Sequence, residues 1–166
     1  MIVVGHGVRR RQMRGPLRVG DEPGELEYQI RRYRCRQCGA VMTAGPKERL
    51  RCRLFSLPAI TWALWLYGVE CISSRAVRHR ISPWRKVGAA ADRTWQTLRR
   101  WLGAARDGRL FPFPIKASGR PRQLAERVSR VLMAKAPPSF ATAKGSEQSV
   151  AGALYSAMGI TPCAAV

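Results

Sequence analysis

Acidic residues are scarce in this chain. Ten stand against thirty basic ones, and the formal net charge is +20. Four of the ten, Asp21, Glu22, Glu25 and Glu27, crowd one short stretch, and Asp92 sits where a helix cap is expected. No trio of carboxylates is placed as two-metal nucleotidyl transfer requires. Histidine is rarer still: His6 and His79 have no serine or cysteine nucleophile context. No glycine-rich loop follows a strand to cradle phosphates. Long apolar runs are missing too. The most apolar stretch, Leu57 to Val69, is shorter than the roughly 20 residues of a membrane-spanning helix. The opening MIVV is too short for the apolar region of a secretory leader. Five cysteines are present, an odd number, so a disulfide framework is not expected and a reducing cytoplasmic setting is. These shortages point away from an enzyme, a membrane protein and a secreted scaffold.

What is present is arginine. Only Lys47, Lys86, Lys116, Lys135 and Lys144 are lysine, so 30 − 5 leaves 25 arginines. A planar guanidinium fork suits phosphate and guanine recognition. GC-rich codon usage would also raise arginine, but it does not explain the thin supply of acids. A polyanionic partner is therefore expected, nucleic acid first among them. The hydrophobic share of 46% over 166 residues suffices for one compact domain or two small ones.

The local patterns predict an α+β chain. Residues 1–47 read as β structure. Glu25-Leu26-Glu27-Tyr28-Gln29-Ile30 alternates polar and apolar residues at the strand period, and Gly15-Pro16 and Gly20 to Gly24 are turn clusters. Ala40 to Thr43 is expected to return as a short strand. Residues 48–107 read as helical. Pro58 near a helix start, Ser73-Ser74 as a cap, and Asp92 ahead of Arg93 to Leu102 predict three helices. The first is apolar all round and is expected at the centre of the core. In the third, Trp95, Leu98 and Leu102 form an apolar stripe, with Arg93, Gln96, Thr97 and Arg100 on another side. Residues 108–118 carry Phe-Pro-Phe-Pro and read as a Pro-rich linker. Residues 119–136 predict a fourth helix, and 137–166 a flexible or weakly helical tail.

Two motifs carry chemistry. Cys35-Arg36-Gln37-Cys38-Gly39 has the form of one zinc-ribbon knuckle, in which two thiolates face one metal and glycine allows the tight turn. A redox CxxC would open a helix in a βαβ unit, which is absent here. Tetrahedral zinc takes four ligands, so Cys35 and Cys38 are a half-site. His6 and Cys52 are the residues that could extend it to Cys3His; two unliganded cysteines in a relic knuckle is the rival reading. The second motif is a helical pair, Ser73 to Ile81 and Thr94 to Leu102. It has the shape of a helix-turn-helix whose second helix would lie in the major groove. Arginine there can read guanine, Gln96 adenine, and Thr97 a phosphate or thymine methyl. The rival is a helical bundle with a basic solvated face. The loop from Ser82 to Ala91 is longer than the usual 3–4-residue turn. The basic clusters Arg9-Arg10-Arg11, Arg31-Arg32-Tyr33-Arg34, Arg49 to Arg53 and Arg78 to Arg80, together with Arg75, read as phosphate contacts, which hold position without reading sequence.

The segments GHGVRRRQMRGP, RRYRCRQCGAVMTAGP, an apolar helix, SSRAVRHRISPWRKVG, TWQTLRRWL and LFPFP, in that order, resemble bacterial transposase-like proteins. Those join an N-terminal zinc ribbon to a helix-turn-helix, as at the DNA-binding end of insertion-sequence transposases. The similarity covers about residues 1–115. In that family a CxxCG-type knuckle precedes the stretch matching VVGHG; Cys35 and Cys38 match the second knuckle, and no residue here matches the first, which is expected ahead of Met1 or lost. The resemblance implies zinc and DNA binding without catalysis, since no catalytic domain follows. The expectation is thus a cytoplasmic, non-catalytic, transposase-like protein that binds duplex DNA. An RNA-binding or ribosome-associated basic ribbon protein and a non-functional transposase remnant are the alternatives.

Overall fold

The structure, a computed structural model, describes residues 2–50, 53–82, 84, 95–113, 115 and 119–157. Its elements are β1 (Val3–Gly15), β2 (Gly24–Cys35), β3 (Val41–Ala44), α1 (Leu57–Gly68), α2 (Ser74–Ile81), α3 (Gln96–Arg106), α4 (Pro121–Met133) and α5 (Gly145–Ala157). The chain is α+β. The three strands form one antiparallel sheet in the order β1-β2-β3.

β1 and β2 make a long hairpin. Met13 faces Leu26, Arg11 faces Tyr28 and Arg9 faces Ile30, with a register shift between Gly5 and Val8. β3 is a short edge strand, pairing Arg32 with Thr43 and Arg34 with Val41. The turn end of the hairpin is fastened to the helices. The Arg14 N–H donates to the Leu54 carbonyl at 2.8 Å, and the Ser56 N–H donates to the Arg14 carbonyl at 2.9 Å. Ser56 does two jobs there. Its hydroxyl accepts from the Ala59 N–H, capping α1, and donates to the Pro16 carbonyl at 2.7 Å. Gly15 makes the fit possible. Its φ is +92°, and a Cβ there would lie 2.6 Å from the Ala59 Cβ.

α1 is buried on nearly every face, as its composition predicts; ten of its twelve residues are inside. α4 and α5 pack on it and on each other, and α2 and α3 also rest on it. Trp95, Leu98 and Leu102 are all buried, so the expected apolar stripe of the third helix does point inward. No helix among the described residues is long and apolar enough to cross a membrane.

Two expected segments differ. Residues 108–118, read as a linker, send Leu110, Phe111 and Ile115 into the core, and Phe113 stacks on Phe111 at 6.0 Å. Proline forbids a helix there but not burial. Within 137–166 the weak helix expected from Glu147 to Met158 does form, as the 13-residue α5, and what differs from a tail is its packing: Ser149, Val150 and Ala153 are buried. Small residues let it dock: a side chain at Gly152 would collide with the Leu132 carbonyl of α4, and one at Gly145 with the Trp65 ring of α1. α3 begins at Gln96, with Trp95 in the capping position and no side-chain cap. Asp92 and Arg93, expected as cap and first turn, lie outside the described residues.

Candidate nucleic-acid interface

The hairpin and the strap that follows it enclose an open groove of about 670 Å³, lined by Arg10, Arg11, Gln12, Glu27, Tyr28, Arg49, Arg53 and Leu54. The backbone pairings place these groups. Arg11 faces Tyr28 across the hairpin. Arg14 of β1 bridges to Phe55 in parallel fashion, which docks the strap on β1, and Arg49 bridges to Ser56 in antiparallel fashion within the strap itself. The one acid in the groove, Glu27, lies 3.7 Å from Arg10. Arg11, Arg49 and Arg53 have no acidic partner among the described residues.

Several acids elsewhere are engaged locally. Glu25 holds Arg14 at 2.9 Å, Glu126 holds Arg130 at 2.8 Å, and Glu70 takes the Trp65 indole N–H. Asp107 accepts from Arg109 and Arg106, and these bonds hold its carboxyl below the ordinary aspartate value. Glu147 accepts the Lys144 N–H ahead of α5. From Tyr28 to Ser56 the sequence has one acid, Glu48, against Arg31, Arg32, Arg34, Arg36, Lys47, Arg49, Arg51 and Arg53. The knuckle half of the sheet and the strap are therefore strongly positive.

The start of α3 lies beside this surface. Phe55 meets Trp95 at 6.2 Å and Trp101 at 5.1 Å, and the two indoles meet each other at 5.0 Å, all edge to face. This triad ties the first turn of α3 to the strap. The Arg14 guanidinium sits 4.3 Å over the Trp84 ring at the same junction. Gln96 and Arg100 are exposed one turn apart, and Thr97 is half-buried. Arg93 lies outside the described residues. Arg75 is exposed and Arg78 half-buried on α2, with side chains engaged in contacts of their own. Arg9, Arg10 and Arg11 are exposed on β1, and Arg32 is half-buried on β2. α2 packs on α1, and α3 on α1 and α4, rather than chiefly on each other. The segment joining them lies mostly outside the described residues.

The CxxCG segment forms a tight turn between β2 and β3. The Cys35 N–H donates to the Ala40 carbonyl at 2.9 Å, the Gly39 N–H to the Cys35 carbonyl at 3.0 Å, and Gly39 takes φ +69°. The backbone N–H groups of Cys38 and Gln37, then the Cys38 thiol, donate toward the Cys35 sulfur and lower its pKa from the ordinary thiol value. The Cys38 thiol is exposed beside the buried Cys35 sulfur, and two sulfurs are half of the four ligands that zinc takes. The other half is not supplied nearby: no group of three His, Cys, Asp or Glu able to hold a metal occurs among the described residues. His6 is exposed at the register shift in β1, and Cys52 lies outside the described residues.

Comparison of the chain with protein-family models, with curated proteins and with solved structures finds no match.

Arg49 and Arg53 were visible in the sequence only as a basic cluster, and Tyr28 only as a strand residue. What marks them is the near absence of acids between Tyr28 and Ser56. Their meeting with Arg10 and Arg11 depends on strand pairing that no local pattern encodes.

Proposed function

We propose that this chain is a non-catalytic nucleic-acid-binding protein whose partner is duplex DNA, in keeping with its resemblance to the DNA-binding end of transposases. The observation that carries the reading is the groove in which Arg11, Arg49 and Arg53 stand without acidic partners. Guanidinium groups kept unpaired on a surface are held for an anion, and a row of them along a hairpin suits a row of phosphates. An antiparallel two-stranded ribbon is also of a size that a DNA major groove admits. In this reading Arg9, Arg10, Arg11 and Arg32 hold the backbone, with Arg75 and Arg78 adding contacts from α2. Gln96 and Arg100, at the start of α3, contact base edges, Thr97 lends a methyl or a phosphate contact, and Arg93 extends the set. A zinc ribbon around Cys35 and Cys38 belongs to the same reading.

Fluorescence anisotropy with labelled duplex DNA, single-stranded DNA and duplex RNA tests it. Duplex DNA should bind best, and its affinity should fall at least tenfold between about 50 and about 300 mM salt when several phosphates are engaged. Equal affinity at both salts, or no binding, overturns the proposal. A preference for unpaired strands or for RNA replaces it with the RNA-binding reading.

A further inference from the structure

A second cavity, of about 570 Å³, shares Arg49 with the groove. One lip is the strap, where Lys47 lies in a turn closed by the Arg49 N–H donating to the Pro46 carbonyl at 3.1 Å. The Leu57 N–H donates to the Glu48 carbonyl at 2.6 Å and ties that turn to α1. The other lip follows α3. There Arg109 and Leu110 both donate their N–H to the Ala104 carbonyl, at 2.8 and 3.0 Å, and Gly108 takes φ +68° to allow the reversal. Both lips are fixed by backbone bonds before any ligand arrives, which lowers the cost of binding.

The lining divides by chemistry. Lys47, Arg49 and Arg109 supply cations, and no acid is among the described residues that line the cavity; Glu48, between the first two in sequence, does not face it. Lys47 and Arg49 have no ion-pair partner among the described residues. Asp107 is shared between Arg109 at 2.7 Å and Arg106 at 3.2 Å, so it only partly matches Arg109. Leu50, Phe111 and Pro112 add an apolar wall. The volume falls in the range of small-molecule sites, about 300–1,000 Å³. An anionic head joined to a flat, largely apolar body satisfies both halves. Bare phosphate would leave the wall wet, and a neutral ring would leave the cations unmatched.

We propose that this cavity is a binding site for one nucleotide, its phosphate held by Lys47 and Arg49 and its base lying along the wall of Leu50, Phe111 and Pro112. Because Arg49 belongs to the groove as well, the nucleotide has two sources of the same chemistry. One is a free mononucleotide. The other is an unpaired nucleotide in a strand whose neighbouring phosphates run along the groove. The site itself does not rest on the duplex-DNA reading.

The test titrates the full chain with adenosine monophosphate (AMP), adenosine and inorganic phosphate by calorimetry at constant salt. AMP should saturate one site per chain, with adenosine and phosphate each at least about tenfold weaker. Lys47→Gln, at an exposed position, should weaken AMP about tenfold through loss of a charge-assisted hydrogen bond. Arg53→Gln, which lines the groove but not this cavity, should leave AMP binding unchanged. Anisotropy with a duplex carrying one bulged adenosine, beside the fully paired duplex, separates the sources. Tighter binding of the bulged duplex, lost in Lys47→Gln, assigns the site to a nucleotide within a strand. Equal binding of the two duplexes, with AMP saturable, assigns it to a free mononucleotide. If neither duplex binds while AMP saturates, the duplex-DNA reading fails and this site stands. Phosphate binding as tightly as AMP overturns the proposal, because the wall then contributes nothing. So does an unchanged affinity in Lys47→Gln, an equal loss in Arg53→Gln, or the absence of both AMP saturation and a bulge preference.

Discussion

Replacing Arg11, Arg49 and Arg53 with glutamine should weaken DNA binding in a way that salt dependence can count. These three line one groove and have no acidic partner among the described residues, so glutamine removes charge without stranding a buried carboxylate. Each phosphate neutralised by a cation contributes about 0.9 to the slope of log affinity against log salt. Losing three should lower the slope by roughly 2.7. The same relation gives a loss of about eightfold for each residue at about 100 mM salt and about threefold at about 300 mM. The triple variant should therefore be weaker by roughly 500-fold at the lower salt and by some 30-fold, on the order of magnitude, at the higher. Anisotropy titrations at four salt concentrations measure slope and affinity together. Arg130→Gln is the control, because Glu126 already matches that charge at 2.8 Å; its slope should equal that of the parent. A triple variant with an unchanged slope would refute the assignment of the groove to phosphate, even if affinity fell.

Ser56→Ala should cost about 2–4 kcal/mol. It removes the cap of α1, typically about 1 kcal/mol, and leaves the buried Pro16 carbonyl without its donor, about 1–3 kcal/mol. The urea midpoint should fall with an unchanged slope, and a loss under about 0.5 kcal/mol would contradict both roles. Gly68→Ala and Gly152→Ala should each destabilise by about 1–3 kcal/mol through overpacking, because the added methyl meets the α4 backbone at Glu126 or Leu132. Helix propensity alone predicts the opposite sign, a gain of about 1 kcal/mol, so the direction of the change decides between close helix packing and a loose bundle.

Much of the local structure was legible in the residues. Pro58 does open α1, Ser73 does cap α2, and a helix, α4, does lie within 119–136. The alternation of Leu26, Tyr28 and Ile30 does lie in a strand, and the turn glycines separate β1 from β2. These signals are readable because each is a dihedral or hydrogen-bonding preference of a few neighbouring residues. The knuckle belongs to the same class, since its N–H groups reach a sulfur only two or three residues away.

The residues alone specify an arginine-rich α+β chain with its helix starts, its hairpin and a CxxC turn. Tertiary contacts, by contrast, settle that Leu110 and Phe111 enter the core and that the last helix is a packed member of the bundle. Both depend on surfaces made by distant residues: Leu110 and Phe111 are buried by helices that precede and follow them, and α5 docks because α4 can approach Gly152. The candidate site divides the same way. Its charges are written in the composition, but the groove forms because the Arg14–Phe55 bridge docks the strap on the hairpin while the Arg49–Ser56 bridge folds the strap back on itself. Charge is a property of a residue, whereas a groove is a property of two segments whose separation along the chain hides their contact.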